Sequence, residues 1–531
     1  MTRSEIKKSF CSICTACCGI EAEVSDGRIV ALRADPSNPM SQGYSCVKGR
    51  NSHHLLTAPD RIIDPLKRSS QGLQNVDVEE ALDEIAQELL TLREQFGPRS
   101  IAVYLGNGVV FKTTGMPAAQ SWLQGLGSHM LYTTYTIDQP AKLIAKARHG
   151  VWSAGEHGFE SADVLMLLGN NPMVSGYHCR GSFAGWRPSE LKEAKKRGLK
   201  LIVVDPRRTE TAQLADVYLP IKPGQDAVLL AGMLNYLLSN GLYDEDFCSQ
   251  HTRGLEELTK AVAGYSLDIV SRETGLDEEA IVEAARVFGE ARRGCAITGT
   301  GPNMALHANL SEHLVECLNT ACGRRTRAGE PVPPSLLTPN REIRAMALAE
   351  DARPAAYSFS RSPEKSRIRG ARQAFGQMPT ATLAEEILTP GEGQVKALIV
   401  IGGNPVLSWP DQELTIEALR ALDLLVCIET RENASIPFAD YVLPASYGLE
   451  RGEITAINDS LYERAYAQYA EAVVPPPGDA QEEWRYLAGL AKRMGFDMRL
   501  TGGNLNLESR WHQKPKSRIP TSPVAGGQRT S

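Results

Sequence analysis

The chain has 531 residues, 42% of them hydrophobic and 23% charged, with a formal net charge of -6. That composition suits a soluble globular protein of three or four domains at roughly 150 residues each. The mild acidic excess gives no reason to expect nucleic acid or an anionic membrane as a partner, and no apolar run approaches the ~20 residues that cross a bilayer.

The polar start, Met1-Thr2-Arg3-Ser4-Glu5-Ile6-Lys7-Lys8, has neither an apolar signal core nor an Arg-Arg pair, so the chain is expected to stay in the cytoplasm. It leads straight into Cys11, Cys14, Cys17 and Cys18, with Cys46 further on. The remaining cysteines (Cys179, Cys248, Cys295, Cys317, Cys322, Cys427) are scattered through apolar segments and read as buried small hydrophobes. A tight cluster in a cytosolic chain points to metal or cluster ligation rather than disulfides. Thiolates with two and three residues between them can wrap three corners of a cubane, which a remote fourth closes, so Cys11, Cys14, Cys18 and Cys46 are candidate ligands of a 4Fe–4S cluster. Zinc is the competing ion, although its knuckles usually come in pairs and Cys46 stands alone. Cys17 offers a rival spacing; Gly19 and the start of a hairpin favour Cys18. That hairpin runs over 19–24 and 28–32 around Asp26-Gly27 and would fold Cys46 back toward the others.

From about residue 78 the pattern becomes that of α/β domains with parallel sheets. Apolar strands are expected at 101–105, 164–168, 201–204, 296–298, 397–401, 424–428 and 441–443, separated by helices such as 78–92, 190–197, 311–320 and 415–422. Two stretches, about 160–225 and 395–445, repeat one another. Each has a strand ending in Gly169-Asn170-Asn171-Pro172 or Gly402-Gly403-Asn404-Pro405, then a helix, then a strand ending in Asp205 or Glu429. Ala215-Asp216 and Ala439-Asp440 follow at the same spacing, and then Leu219-Pro220 and Leu443-Pro444. Such glycine turns at a sheet's carboxyl edge allow a nucleotide close to the backbone, and the acid ending the next strand commonly accepts hydrogen bonds from a ribose or base. The competing reading is of turn residues in a duplicated folding unit; two copies in register favour two pseudo-equivalent nucleotide sites. The stretch 496–531 is polar and rich in Gly, Ser and Pro and is expected to be disordered.

Cys-x2-Cys-x3-Cys-Gly, with Asp26-Gly27-Arg28-Ile29, Asp35-Pro36, Asn38-Pro39 and Gly43-Tyr44-Ser45-Cys46-Val47-Lys48-Gly49-Arg50, resembles the N-terminal domain of the prokaryotic molybdopterin oxidoreductases. These are the relatives of formate dehydrogenase, assimilatory nitrate reductase and dimethyl sulfoxide reductase. Pro59-Asp60-Arg61 and Pro65-Leu66-Lys67-Arg68 match the segment leaving that domain. The resemblance implies a small β-rich iron–sulfur domain over 1–65, then two interleaved α/β domains over 66–495 related by the internal repeat. It implies two molybdopterin guanine dinucleotides holding Mo or W. Gly169, Asn170, Asn171, Pro172, Asp205, Pro206, Arg207, Thr209, Gly224 and Asp226 would hold one of them, and Gly402, Gly403, Asn404, Pro405 and Glu429 the other. Lys48 matches the lysine between cluster and pterin, where a cation would stabilise an extra electron.

Relatives supply Cys, selenocysteine, Ser or Asp to the metal from a segment ahead of the first glycine turn. This chain has no cysteine between Cys46 and Cys179, and Asp138 is the one strong oxygen donor of Tyr135-Thr136-Ile137-Asp138-Gln139-Pro140-Ala141-Lys142. A helix cap before Pro140 is the alternative role. His129, His149 and His178 lie in or near this region. Relatives also carry a C-terminal domain; here Pro475-Pro476-Pro477-Gly478 and Glu482-Glu483-Trp484 look like the linker into it, so either a partner chain supplies that domain or the protein is truncated. The expected function moves electrons between a small substrate at the bis-pterin molybdenum or tungsten centre and the 4Fe–4S cluster, with a redox partner protein or subunit beyond it. A cofactor-free iron–sulfur scaffold and a non-redox hydratase of the same family are the alternatives.

Overall fold

The structure, a computed structural model, describes residues 4–110, 112–152, 155–176, 188–331, 345–346, 364–374, 376–455, 466–500 and 503–504. At the N-terminus β1 (Glu5–Phe10), β2 (Gly19–Ser25) and β3 (Arg28–Ala34) form an antiparallel meander. The tight turn between β2 and β3 takes Asp26 to φ 50° and Gly27 to φ 73°, as a two-residue hairpin of matching twist demands. Alternation along β2 turns Ile20, Ala22 and Val24 inward, where they pack with Leu32, Cys11, Leu449 and Val473.

The chain then adds β4 (Leu66–Ser69) and β5 (Gly72–Asn75), a helix Val78–Phe96, β6 (Ile101–Leu105), a helix Gly115–Leu126 and β7 (Leu131–Thr133). Asp77 starts the first helix by accepting from Glu79 N at 2.9 Å and Glu80 N at 3.2 Å. A helix Pro140–His149 leads to β8 (Val151–Trp152) and on to β9 (Val164–Leu168), β10 (Lys200–Val204), β11 (Val217–Leu219) and β12 (Gly294–Thr298). After β13 (Ala345–Met346), which pairs with β8, come β14 (Ala397–Ile401), β15 (Leu424–Glu429) and β16 (Tyr441–Pro444).

Two sheets dominate, with strand orders β11-β10-β9-β12 and β5-β4-β16-β15-β14-β6-β7. The first is parallel throughout; the second is parallel from β16 to β7 and antiparallel where β4 and β5 join it. Reading β11-β10-β9-β12 against β16-β15-β14-β6 gives the same topology twice, so the repeat extends to a fourth strand. The fold is therefore the expected α/β architecture with interleaved units: β6 precedes the first unit in sequence yet completes the second. Strands β6, β9 and β14 are buried along their whole length, as strands covered on both faces must be.

The segment expected as a linker belongs to this body. Asp479 N donates to Ile63 O at 2.9 Å, and Gly478, at φ 54°, would press a Cβ to 2.5 Å from the same carbonyl. The helix Glu483–Arg493 buries Trp484, Tyr486, Leu487 and Leu490 among the helices 78–96 and 115–126. Phe496 lies 6.3 Å from the Trp122 ring and Met498 is buried; residues 505–531 of the expected tail lie outside the described residues. Cys248, Cys295, Cys317, Cys322 and Cys427 are buried free thiols, and Cys179 lies outside the described residues.

Candidate functional site

Four thiols converge beneath the meander. Burial pushes the Cys11 thiol up to about 11, helped by the charges of Cys14 and Cys46, and Lys48 pulls it down. Burial raises Cys14 and Cys18 too, Cys18 in the field of Cys11, Cys14 and Cys46. Cys17 has a different setting: at φ 43° it packs with Phe10 and Ala470. Around the thiols the hydroxyls of Thr15 and Ser45 are buried without a hydrogen-bond partner. A Cβ at Gly49 would sit 2.7 Å from Ser45 Oγ and 3.2 Å from Cys11 Sγ. The idle hydroxyls beside the four thiols fit a sulfide-bearing cluster, whose sulfides accept hydrogen bonds. Lys48 is exposed on the short helix after Cys46, with no ion pair or hydrogen bond among the described residues.

The two repeat units present matching crevices at the carboxyl edges of their sheets. Gly169 and Gly402 both take φ 57°, donating to Val204 O at 2.8 Å and Ile428 O at 2.9 Å. Pro172 and Pro405 then open short helices. Asn171 Oδ1 accepts from Thr211 Oγ1 at 2.7 Å and Asn404 Oδ1 from Ser435 Oγ at 2.9 Å, so both carboxamides hold the turns in place. Asp216 and Asp440 do equivalent work, accepting from Leu201 N at 2.7 Å and Leu425 N at 2.8 Å. Asn170 and Pro172 are buried beside Gly169, and Gly403 stands between Gly402 and Asn404.

A second glycine turn in each unit, Gly299-Thr300-Gly301 after β12 and Gly106-Asn107-Gly108 after β6, was not picked out from sequence. A Cβ at Gly299 would run into the Gly169 carbonyl and one at Gly106 into that of Gly402, so each pair of turns meets backbone to backbone. The signal was present in the two Gly-x-Gly triplets, hidden because β6 lies far ahead of its unit.

At the acidic strand ends the units differ. Asp205 Oδ1 accepts from Arg207 N at 2.9 Å, Pro206 and Arg207 are exposed, and buried Thr209 caps the turn to Ala212. Asp226, following Gly224, is buried, and burial with the charge of Asp205 raises its carboxyl. Burial lifts Glu429 to about 7, against hydrogen bonds from Thr430. Asn303 Oδ1 beside the first edge and Ser446 Oγ beside the second are buried without partners. A buried polar atom left unpaired costs ~1–3 kcal/mol, so both edges are suited to a polar ligand such as a pterin.

The segment 134–142 joins the two crevices. Thr134 Oγ1 bonds Asn107 Oδ1 at 2.5 Å, Gln139 Nε2 bonds Thr300 Oγ1 at 3.3 Å, and Lys142 Nζ donates to Thr298 O at 2.7 Å. Asp138 sits between these ties, exposed, with no hydrogen bond or ion pair to its carboxylate among the described residues. Gln139, not Asp138, occupies the N-cap position of the helix Pro140–His149, and no side chain caps it there. His129 lies at the amino end of β7, away from the crevices, and His178 lies outside the described residues.

Sequence reading also missed a buried ionic group under the cluster domain. Arg451 holds Glu483 at 2.5 Å and Glu453 at 3.0 Å, and Glu453 holds Lys112 at 3.8 Å. Burial, with Arg451 nearby, lowers the Lys112 ammonium. A Cβ at Gly448 would strike the Ser12 hydroxyl, which shows how closely the cluster domain seats here.

The description Molybdopterin oxidoreductase matches residues 61–493, and Molybdopterin oxidoreductase Fe4S4 domain matches residues 4–57. The chain is 28% identical to acetylene hydratase of Syntrophotalea acetylenica, over 92% of this chain and 69% of that one. It is 26% identical to the F420-dependent formate dehydrogenase subunit alpha of Methanocaldococcus jannaschii, over 93% and 71%. Among solved structures, acetylene hydratase from Pelobacter acetylenicus superposes with a TM-score of 0.75 at 27% identity, covering 92% of this chain and 69% of that one. Among the described residues no helix is long and apolar enough to cross a membrane.

Proposed function

The chain belongs to the molybdopterin oxidoreductase family, and from that premise we propose that it moves electrons between a small substrate at a bis-pterin molybdenum or tungsten centre and a cluster on Cys11, Cys14, Cys18 and Cys46. Family membership brings a 4Fe–4S cluster and a Mo- or W-pterin cofactor; the duplicated crevices support two pterins in guanine dinucleotide form. The observation that carries it is segment 134–142, tied to Asn107 of one unit and to Thr300 of the other.

The bound metal would supply two-electron exchange with substrate. The chain's own residues do the rest. Asp138 offers the metal a hard oxygen donor. Asp205, Asp226 and Glu429 receive polar edges of the cofactor, and Lys48 places positive charge beside Cys11 and Cys14, favouring the reduced cluster. A redox partner subunit would take the electrons onward, in keeping with the likeness to a formate dehydrogenase alpha subunit. The likeness to acetylene hydratase supports a second reading, in which the metal acts as a Lewis acid without net electron flow.

Metal and pterin analysis of anaerobically purified protein tests the proposal. About four irons per chain with molybdenum or tungsten and pterin are expected; iron without the other two would leave a cofactor-free scaffold. Cluster bleaching by a substrate from a panel of formate, nitrate, sulfur oxyanions and organic oxides supports electron transfer, whereas hydration without bleaching supports the second reading. Asp138→Ala should lower turnover by more than ~100-fold while iron and pterin contents stay unchanged, measured with a dye as electron partner.

A further inference from the structure

Beyond its ties to the first crevice at Lys142, the helix Pro140–His149 packs along the helix Ala308–Ala321, and three metal-binding side chains meet at its carboxyl end. His149, His313 and Cys317 each bring a ligand atom within 4.8 Å of the others. His313 and Cys317 are four residues apart, so one helix face presents both. Cys317 Sγ lies 3.5 Å from His313 Nε2. A tetrahedral ion ~2.3 Å from sulfur and ~2.0–2.1 Å from nitrogen sets such a pair roughly 3.6 Å apart, so this half of a chelate is already spaced for its ion.

His149 comes from the other helix with its ring held in place: Nε2 bonds Thr320 Oγ1 at 2.7 Å, and Thr320 Oγ1 accepts from Arg325 at 3.2 Å. His313 Nδ1 is buried with no hydrogen-bond partner. The charged groups facing the cluster are Glu316, Arg325 and Arg148. Arg325 is neutralised by Glu316 at 2.6 Å and by Glu156. All three candidate ligands line a cavity of about 1110 Å³, so a fourth coordination position would face open space rather than protein.

We propose that His149, His313 and Cys317 form a further metal site, for a borderline-soft divalent cation of the zinc type, with one position open to the cavity. Two imidazoles and a thiolate select such an ion over magnesium or calcium, which want oxygen donors. Binding forms one metal–sulfur bond at the expense of the Cys317 S–H bond, and the proton leaves to solvent; both imidazoles bind neutral, so one proton is released per ion. Three protein ligands and an open position are the arrangement by which a protein-bound cation takes up water or a small anion.

The test uses full-length holoprotein with its cluster loaded, dialysed against a mild chelator that leaves the cluster iron count unchanged, then titrated with Co2+. One tetrahedral cobalt per chain is expected, with a thiolate charge-transfer band. Cys317→Ser should abolish that band, and His149→Gln should weaken cobalt binding by more than ~10-fold. Cys322→Ser, a buried thiol outside the trio, should change neither. Absence of tetrahedral cobalt in the unmodified protein overturns the proposal, as does a signal that Cys317→Ser and His149→Gln leave intact. If Cys317→Ser does not fold, the affinity of His149→Gln decides alone.

Discussion

Cys17 and Cys18 are neighbours in sequence with opposite surroundings. Cys18 sits in the field of Cys11, Cys14 and Cys46, with Cys17 the last of four contributors, while the Cys17 side chain packs onto Phe10 and Ala470. Cys17→Ser should therefore keep about four irons per chain, and Cys18→Ser should lose the cluster, read by iron assay and by the visible absorption of anaerobic protein. Glu429 gives a second prediction at this scale. Its ordinary value is 4.5, and burial raises it to about 7. The unfolded chain thus gives up this proton near pH 4.5 while the fold keeps it to about pH 7. Stability due to protonated Glu429 is full below the lower value and lost as pH climbs through the upper one. Glu429→Gln should flatten that fall between about pH 5 and 7, measured as the pH dependence of the unfolding midpoint in cofactor-free protein.

The paired glycine turns are what the two sheets share most closely. Gly106 and Gly299 occupy equivalent places, each under the carbonyl of the partner turn. Alanine at either position must force the turns apart, at a cost typical of overpacking, about 1–3 kcal/mol. Gly106→Ala and Gly299→Ala should give comparable losses in urea denaturation and lower pterin content in protein purified with cofactor. The first turn of each pair was legible from its Gly-x-x-Pro pattern, because a strand, a turn and a helix follow one another locally. The second was not, because its equivalence exists only once β6 has joined β14, nearly three hundred residues later, with Ala397 paired to Ile101. Asn171, Asn404, Asp216 and Asp440 show the same limit: their spacing marked a repeat, but only the fold shows them bonded within their own units. Asp138 was legible as a lone oxygen donor, whereas the ties that set it between the crevices run through Asn107 and Thr300, which no local pattern marks.

At the scale of the molecule, the cluster domain is seated by charges from distant parts of the chain. Arg451, 3% exposed, is shared by Glu453 and Glu483, and Arg61 holds Glu450 at 2.6 Å. Arg451→Met would strand the buried Glu483 carboxylate and leave Glu453 with Lys112 alone at 3.8 Å, and breaking such a buried pair costs ~3–5 kcal/mol; the urea midpoint should fall accordingly, and cluster occupancy with it. These pairings were invisible from sequence because charge alternation such as Arg451-Gly452-Glu453 reads equally well as a solvated surface. The strand order β14-β6-β7 also has a consequence in time. At ~5–20 residues per second, translation leaves the β6–β7 pair without β14 for roughly 15–60 s, whereas β9 to β12 are made in one continuous stretch. The nascent chain therefore completes the Asp205 crevice first, and the Glu429 crevice becomes available only after β16 has been made, so a cofactor held across the two units is received no earlier than that.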